Sequence, residues 1–251
     1  MTKNMLKNTS DFDKDLNPLL EIATDEQLGY LVEMITDTWT NGLTIEESFK
    51  EHAPKHSMYA DLIAAHIRRF GGNTFSNLFR GVTQNPGCPV SEAFIGPKYH
   101  RIVCDVADHL KANYNKKQPV EVIEDAILAK MLSDTLDKMP DTEKREFLES
   151  VGVINLTGTG PALTGLAITA FRAGGYRSYQ LAVSFVNAVL NKIIGRSLPF
   201  AGGAFMAGTL KFLTGPVGIA LTTVWSLADL ASPARRITVP AVLYIGMLRK
   251  E

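Results

Sequence analysis

Between Ser150 and Ala228 the chain carries no aspartate or glutamate. A stretch of that length without one carboxylate is not a solvated, salt-bridged surface throughout. Its helices are buried in protein or face something other than plain water. Basic residues interrupt it sparsely, leaving uncharged runs at 150–171, 178–191, 197–210 and 212–228, with a further run at 237–248. The formal charge of the 251 residues is zero, yet it is unevenly placed. Residues 1–150 hold 17 Lys+Arg against 24 Asp+Glu, a net of −7, and residues 151–251 hold 9 against 2, a net of +7. Glycine divides the same way, with 13 of 20 after residue 150, whereas all five histidines come before it. The pattern predicts an acidic, soluble helical domain at 1–150 and a basic, glycine-rich hydrophobic region at 151–251. Opposite net charges allow the two parts to attract each other, or to meet different partners.

A neutral total excludes a strongly basic nucleic-acid binder, so no nucleic-acid partner is expected. Two cysteines, Cys88 and Cys104, make no disulfide framework and suit a reducing compartment. The opening Met1-Thr-Lys-Asn-Met-Leu-Lys7 has basic residues but no apolar run behind them, so the expectation is a protein that starts in the cytosol.

The acidic part predicts helices. Thr24-Asp-Glu-Gln27 is a capping box, followed by Leu28, Leu31, Val32 and Ile35 at helical spacing. Thr44-Ile-Glu-Glu47 repeats the cap signal before a short helix. Tyr59, Leu62, Ile63, Ile67 and Phe70 form the next stripe, which Gly71-Gly72 is expected to end. Asn73 would then cap another short helix. Residues 82–97, with three prolines and two glycines, read as a loop. Ile102, Val103, Val106 and Leu110 mark a further helix. A longer one runs from Val120 to Met139 with Ile123, Ile127, Leu128, Met131 and Leu132 inward, and Pro140 stops it. Asp141 is placed to cap a last helix through Phe147 and Leu148. No segment alternates at period two, so the fold class is all-α: a multi-helix N-terminal domain, with a short module at 11–37, followed by a glycine-rich apolar helical layer or hairpins.

In the basic region, 197–228 is the best candidate for membrane insertion. Gly215-Pro216 would turn it into a hairpin whose arms are short against the about 20 residues of a spanning helix. Ala204 and Gly208 have the small-xxx-small spacing that allows close helix approach. Two readings stand side by side: a tightly packed core, or a hairpin that meets a bilayer. On the second, Arg172, Arg177, Lys192, Arg196, Lys211, Arg235 and Arg236 face anionic headgroups, each contributing roughly 1 kcal/mol near the surface. The terminal stretch 235–250 reads as an interfacial or core helix, with Pro240 near its first turn.

Candidate chemistry is sparse. His52 and His56 are four apart, but Pro54 lies between them and no cysteine pair supports a metal site. His100 and Cys104, with Asp105 beside them, have the spacing of a nucleophilic pair; a packed thiol on an apolar stripe is the plainer reading. Gly158-Thr-Gly-Pro-Ala-Leu-Thr-Gly165 lacks the lysine of a phosphate-binding loop and reads as a flexible hinge. No catalytic residue, metal ligand or cofactor is assigned.

Three stretches carry a resemblance. Residues 15–36, Asp15-Leu-Asn-Pro-Leu-Leu through Glu33-Met-Ile-Thr36, resemble the N-terminal module of the bacterial YaaW-type family. Phe70-Gly-Gly-Asn-Thr-Phe-Ser-Asn-Leu-Phe-Arg-Gly81 with Tyr99-His-Arg-Ile-Val-Cys-Asp-Val-Ala-Asp-His-Leu110 resembles its central motif. Arg236-Ile-Thr-Val-Pro-Ala-Val-Leu-Tyr-Ile-Gly-Met-Leu-Arg249 resembles its terminal motif. The chain also resembles, more loosely, the helical ubiquinol–cytochrome c chaperones. The resemblance implies a mainly helical bacterial protein with an assembly or chaperone-like role at a membrane. It makes Asn73 and Arg80 the polar members of any surface on the central motif.

The leading expectation is therefore a non-enzymatic helical protein at the inner face of the membrane, cytoplasmic and peripheral or partly inserted. Its partners would be a membrane surface or membrane protein, and a protein that engages the acidic domain. An inducible pore-former using 197–228 is the alternative, and an enzyme around His100, Cys104 and Asp105 a second one.

Overall fold

The computed structural model describes residues 12–37, 42–79, 96–150, 152–194 and 233–251. Among them every regular element is helical. The helices are α1 (Asn17–Ile22), α2 (Asp25–Thr36), α3 (Glu47–His52), α4 (Ala60–Phe79), α5 (Tyr99–His109), α6 (Val120–Asp137), α7 (Asp141–Ser150), α8 (Pro161–Arg172), α9 (Gly175–Ile194) and α10 (Pro233–Leu248). Short 3-10 turns lie at Leu43–Ile45 and His56–Tyr59. Packing divides the chain into two compact units, 1–105 with 231–241 and 106–230 with 242–251. These units cut the chain at other places than the change of composition at residue 150 does.

In the first unit, α2 starts on the expected capping box: Thr24 Oγ1 accepts from Gln27 N–H at 3.2 Å, and the Gln27 side chain accepts from Thr24 N–H at 2.8 Å. Its stripe of Leu28, Leu31, Val32 and Ile35 is buried. α1 and α2 both pack on α4, and Leu16 and Leu20 are buried completely. Three expectations fail here. Thr44 lies within a 3-10 turn, and α3 starts after Glu46 with no side-chain cap. Gly71-Gly72 does not end the helix; α4 runs through to Phe79. Asn73 is accordingly inside α4 and not at the start of a helix. The reason for Gly71 is tertiary. A Cβ there would come within 2.5 Å of Ile102 Cδ1, so the glycine lets α5 approach α4. A helix tolerates glycine for about 1 kcal/mol, and close packing offsets that cost.

In the second unit, α6 buries Ile123, Ile127, Leu128, Met131 and Leu132 as expected and packs on α8, which also meets α7 and α9. Asp141 is the first residue of α7, not its cap; its carboxylate accepts the Gly160 N–H at 2.9 Å. Segment 158–165 is also no free hinge. Lys144, itself buried, donates to Gly160 O at 3.2 Å and Thr164 Oγ1 at 3.3 Å, and Thr164 Oγ1 donates to Asp137 at 2.7 Å. Arg145 donates to Leu156 O at 2.6 Å and also to Gly158 O. Pro161 then opens α8 at the position where its missing N–H costs nothing.

Helix α10 is a core helix: every residue from Ile237 to Leu248 is buried. A helix apolar on all sides is stable only when enclosed. Pro240 is in its interior, not its first turn. The hydrogen bond it deletes is the one to the Arg236 carbonyl, close to the start of the helix. No helix among the described residues is long and apolar enough to cross a membrane. The 197–228 hairpin and its Gly215-Pro216 turn lie outside the described residues.

Candidate functional site

Helix α4 buries three basic side chains within one turn, His66, Arg68 and Arg69. Buried cations need partners, since desolvation costs several kcal/mol for an uncompensated charge. Arg68 Nε donates to Pro97 O at 2.9 Å, and Nη2 donates to Gly96 O at 3.1 Å. Gly96 has φ +91°, and a Cβ there would overlap the Arg68 carbonyl oxygen and lie 2.6 Å from its carbon. The loop before α5 is thus pressed against the α4 backbone, and only glycine fits.

Asp13 meets this junction from 86 positions upstream: its Oδ2 accepts the Tyr99 N–H at 2.6 Å, capping α5. The same oxygen lies 3.6 Å from Arg68 Nε, and both side chains are almost wholly buried. Asp13 N–H donates to Asn17 Oδ1 at 2.9 Å, and Asn17 Nδ2 donates to Asp61 Oδ1 at 2.7 Å. Lys98 Nζ donates to Phe12 O at 2.8 Å. The arrangement holds the Asp13 carboxylate between one guanidinium and one helix N–H.

Sequence reasoning missed Asp13, Asp61, Arg68 and Gly96. The available signal was the pair Arg68-Arg69 beside Ile67 and Phe70, on the buried stripe where a solvated cation does not belong.

A second polar group in this unit joins α2 to the His56–Tyr59 turn. His56 Nδ1 lies 2.5 Å from Tyr59 Oη, and Asp25 Oδ1 accepts the Ser57 N–H at 2.7 Å. Burial, with the Asp25 carboxylate adding to it, pushes the Tyr59 pKa up to about 12; burial lowers that of His56, against the opposing pull of the Asp25 and Glu33 carboxylates. For His56 the unfolded chain therefore takes up a proton at higher pH than the folded one. Stability is unaffected above the usual histidine range near pH 6.5 and declines as pH falls through it towards the lower folded value. Urea unfolding at pH 7.5 and pH 5.5 should show this loss, and His56→Asn should remove its own share of it.

The expected site residues are scattered. Arg172 is exposed at the end of α8, Arg236 is exposed and Arg235 half-buried in the first turn of α10. Arg177 and Lys192 lie on α9 and Asn73 on α4. Arg80, Arg196, Lys211, Gly215 and Pro216 lie outside the described residues. His52 and His56 have different partners, Glu51 and Tyr59. Cys104 is buried, with Sγ 3.7 Å from His100 Nδ1, while Asp105 pairs with Arg101 at 3.0 Å. Among the described residues no three metal-binding side chains cluster.

A family model described as ubiquinol-cytochrome C chaperone matches residues 55–242. A UPF0174 protein of Helicobacter pylori strain J99 is 35% identical over 244 residues, which is 95% of this chain and 91% of the relative. A UPF0174 protein of Helicobacter pylori strain 26695 is 34% identical over 212 residues, or 82% of this chain and 95% of the relative. UPF0174 protein YaaW of Escherichia coli K12 is 29% identical over 249 residues, or 95% and 94%. No solved structure matches. Both resemblances hold, the YaaW-type and the chaperone. The chain, an all-helical protein matched over most of its length, belongs to the ubiquinol-cytochrome C chaperone family.

Proposed function

We propose that this protein is a non-enzymatic assembly factor that works at the inner face of the membrane. It binds a protein partner, a subunit of a membrane-bound respiratory complex of the ubiquinol–cytochrome c kind, and it docks on the bilayer through its basic part. The observation that carries this reading is the family match over residues 55–242. The charge division supports the membrane side: the +7 region has arginines at exposed positions, Arg172 and Arg236 among them.

Fractionation of cells expressing the full chain tests it. The protein should sediment with membranes and come off in high salt, and Arg172→Glu with Arg236→Glu should move it towards the soluble fraction. Membranes from cells lacking the protein should hold less of the assembled complex on native gels. A full chain found wholly in the soluble fraction, beside unchanged respiratory complexes in the deletion strain, would overturn the reading. Resistance to salt and carbonate together would replace docking by insertion.

A further inference from the structure

Residues 152–171 carry no charged side chain, where the chain's overall 21% would place about four. Ala162, Gly165 and Thr169 are exposed on the outer face of α8, with Leu166 and Ile168 half-buried beside them. The neighbouring α7 is built as a solvated helix is and shows Glu146 and Glu149 to water. We infer that the outer face of α8, with the 152–160 loop that leads into it, is the surface that lies on an anionic bilayer. This rests on the membrane docking proposed above and names the surface that performs it.

The loop is held in place, so what it exposes is a fixed surface. Val153 is buried, and its N–H donates to Leu148 O at 2.9 Å. Arg145 donates to Leu156 O at 2.6 Å, and the Asp141 carboxylate takes the Gly160 N–H. Ile154 stands between these anchors and is 62% exposed. A single exposed isoleucine means little. Here it opens a run in which no exposed residue is charged before Arg172. The inner face of α8 is already taken, since Leu163, Ala167 and Phe171 are buried. The uncharged face is the one the fold turns outward.

Charge names the occupant. Arg172 ends the strip, exposed and with no acidic partner among the described residues. No aspartate or glutamate from Ser150 to Ala228 is present to repel a headgroup. The cations near the chain end are already engaged: Arg249 meets Glu124 and Lys250 meets Asp125, both at 2.8 Å. Arg172 is thus a free positive charge at the edge of an uncharged face. A bilayer with anionic headgroups suits both, because it attracts the guanidinium and removes apolar area from water without burying a charge. An acidic protein surface would suit the arginine, but it would press its own carboxylates against a strip that offers them no partner. At 12 residues α8 is too short to span, so it lies along the surface.

The test is flotation of the purified full-length protein with vesicles of phosphatidylcholine and phosphatidylglycerol, beside vesicles of phosphatidylcholine alone. Wild type should bind the anionic vesicles. Gly165→Glu with Thr169→Glu sets two carboxylates on the strip, where Gly165 has open space and Thr169 is exposed. This variant should bind at least about tenfold more weakly. Asn113→Glu with Val122→Glu adds the same charge at exposed positions outside the strip and should change binding by less than about twofold. Gly165→Leu with Thr169→Leu works in the other direction: it should bind at least about threefold more tightly, and the gain should survive high salt. Unchanged helix content by circular dichroism shows that the variants are folded. Should the glutamate pair unfold, the leucine pair decides, and binding no tighter than wild type counts against the strip. A folded glutamate pair that binds like wild type overturns the inference and leaves membrane docking standing. So does a control pair that loses as much, since net charge and not this face would then set the binding. A wild type that ignores both kinds of vesicle overturns bilayer docking itself, and the inference with it.

Discussion

Gly96→Ala should cost about 3–5 kcal/mol of stability, the range of exceptional single substitutions with a named mechanism. Two effects add. At φ +91° an alanine is held outside the conformations its Cβ allows, at a cost of about 1–3 kcal/mol. Its Cβ would also overlap the Arg68 carbonyl oxygen, which is backbone inside α4 and has no rotamer by which to move aside. The loop must lift, and lifting it withdraws the Gly96 and Pro97 carbonyls from Arg68, a buried cation. Gly165→Ala is the contrast. Gly165 is helical and exposed, with nothing within 4 Å of the place an alanine methyl would take, so alanine should gain about 0.5–1 kcal/mol. Urea denaturation of the two variants beside wild type decides the matter. A loss under about 1 kcal/mol at Gly96 would show that the loop is not pressed on α4.

Arg249→Met should cost about 3 kcal/mol, because it strips the cation from a buried carboxylate. Glu124 is 1% exposed and its Oε2 lies 2.8 Å from Arg249 Nε. At that distance the two opposite charges form an ion pair inside the protein. Glu121, more exposed, lies 3.8 Å from Arg249 and would then face Glu124 unscreened. The neighbouring Lys250, ion-paired with Asp125 at 2.8 Å and 4.7 Å from the centre of the Phe171 ring, holds the same chain end but cannot replace the lost charge. Two outcomes identify the mechanism. Burial without its cation raises the Glu124 pKa above the unfolded value near 4.3, so the folded state binds the extra proton. The variant then regains stability as pH falls through the raised value and loses it as pH rises. Adding Glu124→Leu should recover most of the loss, as replacement of a buried ion pair by apolar groups commonly does. A variant whose deficit is the same at every pH, and which Glu124→Leu worsens, would show that the arginine stem and not its charge matters.

Most helices were legible because their signals are local. The capping box at Thr24, the apolar stripe of α6 and the stop at Pro140 each depend on neighbours within one or two turns, and each stands where expected. The failures share one cause. Gly71-Gly72 has the local look of a helix end, but the residue that decides its role, Ile102, is distant in sequence. Gly158 to Gly165 looks like a hinge until Lys144, Arg145 and Asp141 are placed against it. Pro240 looks like a helix start, although α10 begins at Pro233. Asp13 carries no local sign of its role, and it is fully buried against residues remote in sequence.

Sequence by itself determined the all-helical class, the division of charge and the family, because periodicity, composition and ordered motifs are properties of the chain read in one direction. The tertiary structure alone decided where the polar groups go. A carboxylate such as Asp13 or Glu124 becomes an anchor only when a cation or a helix N–H from a remote segment meets it inside the protein. There water no longer screens the contact, and its loss costs kilocalories rather than tenths.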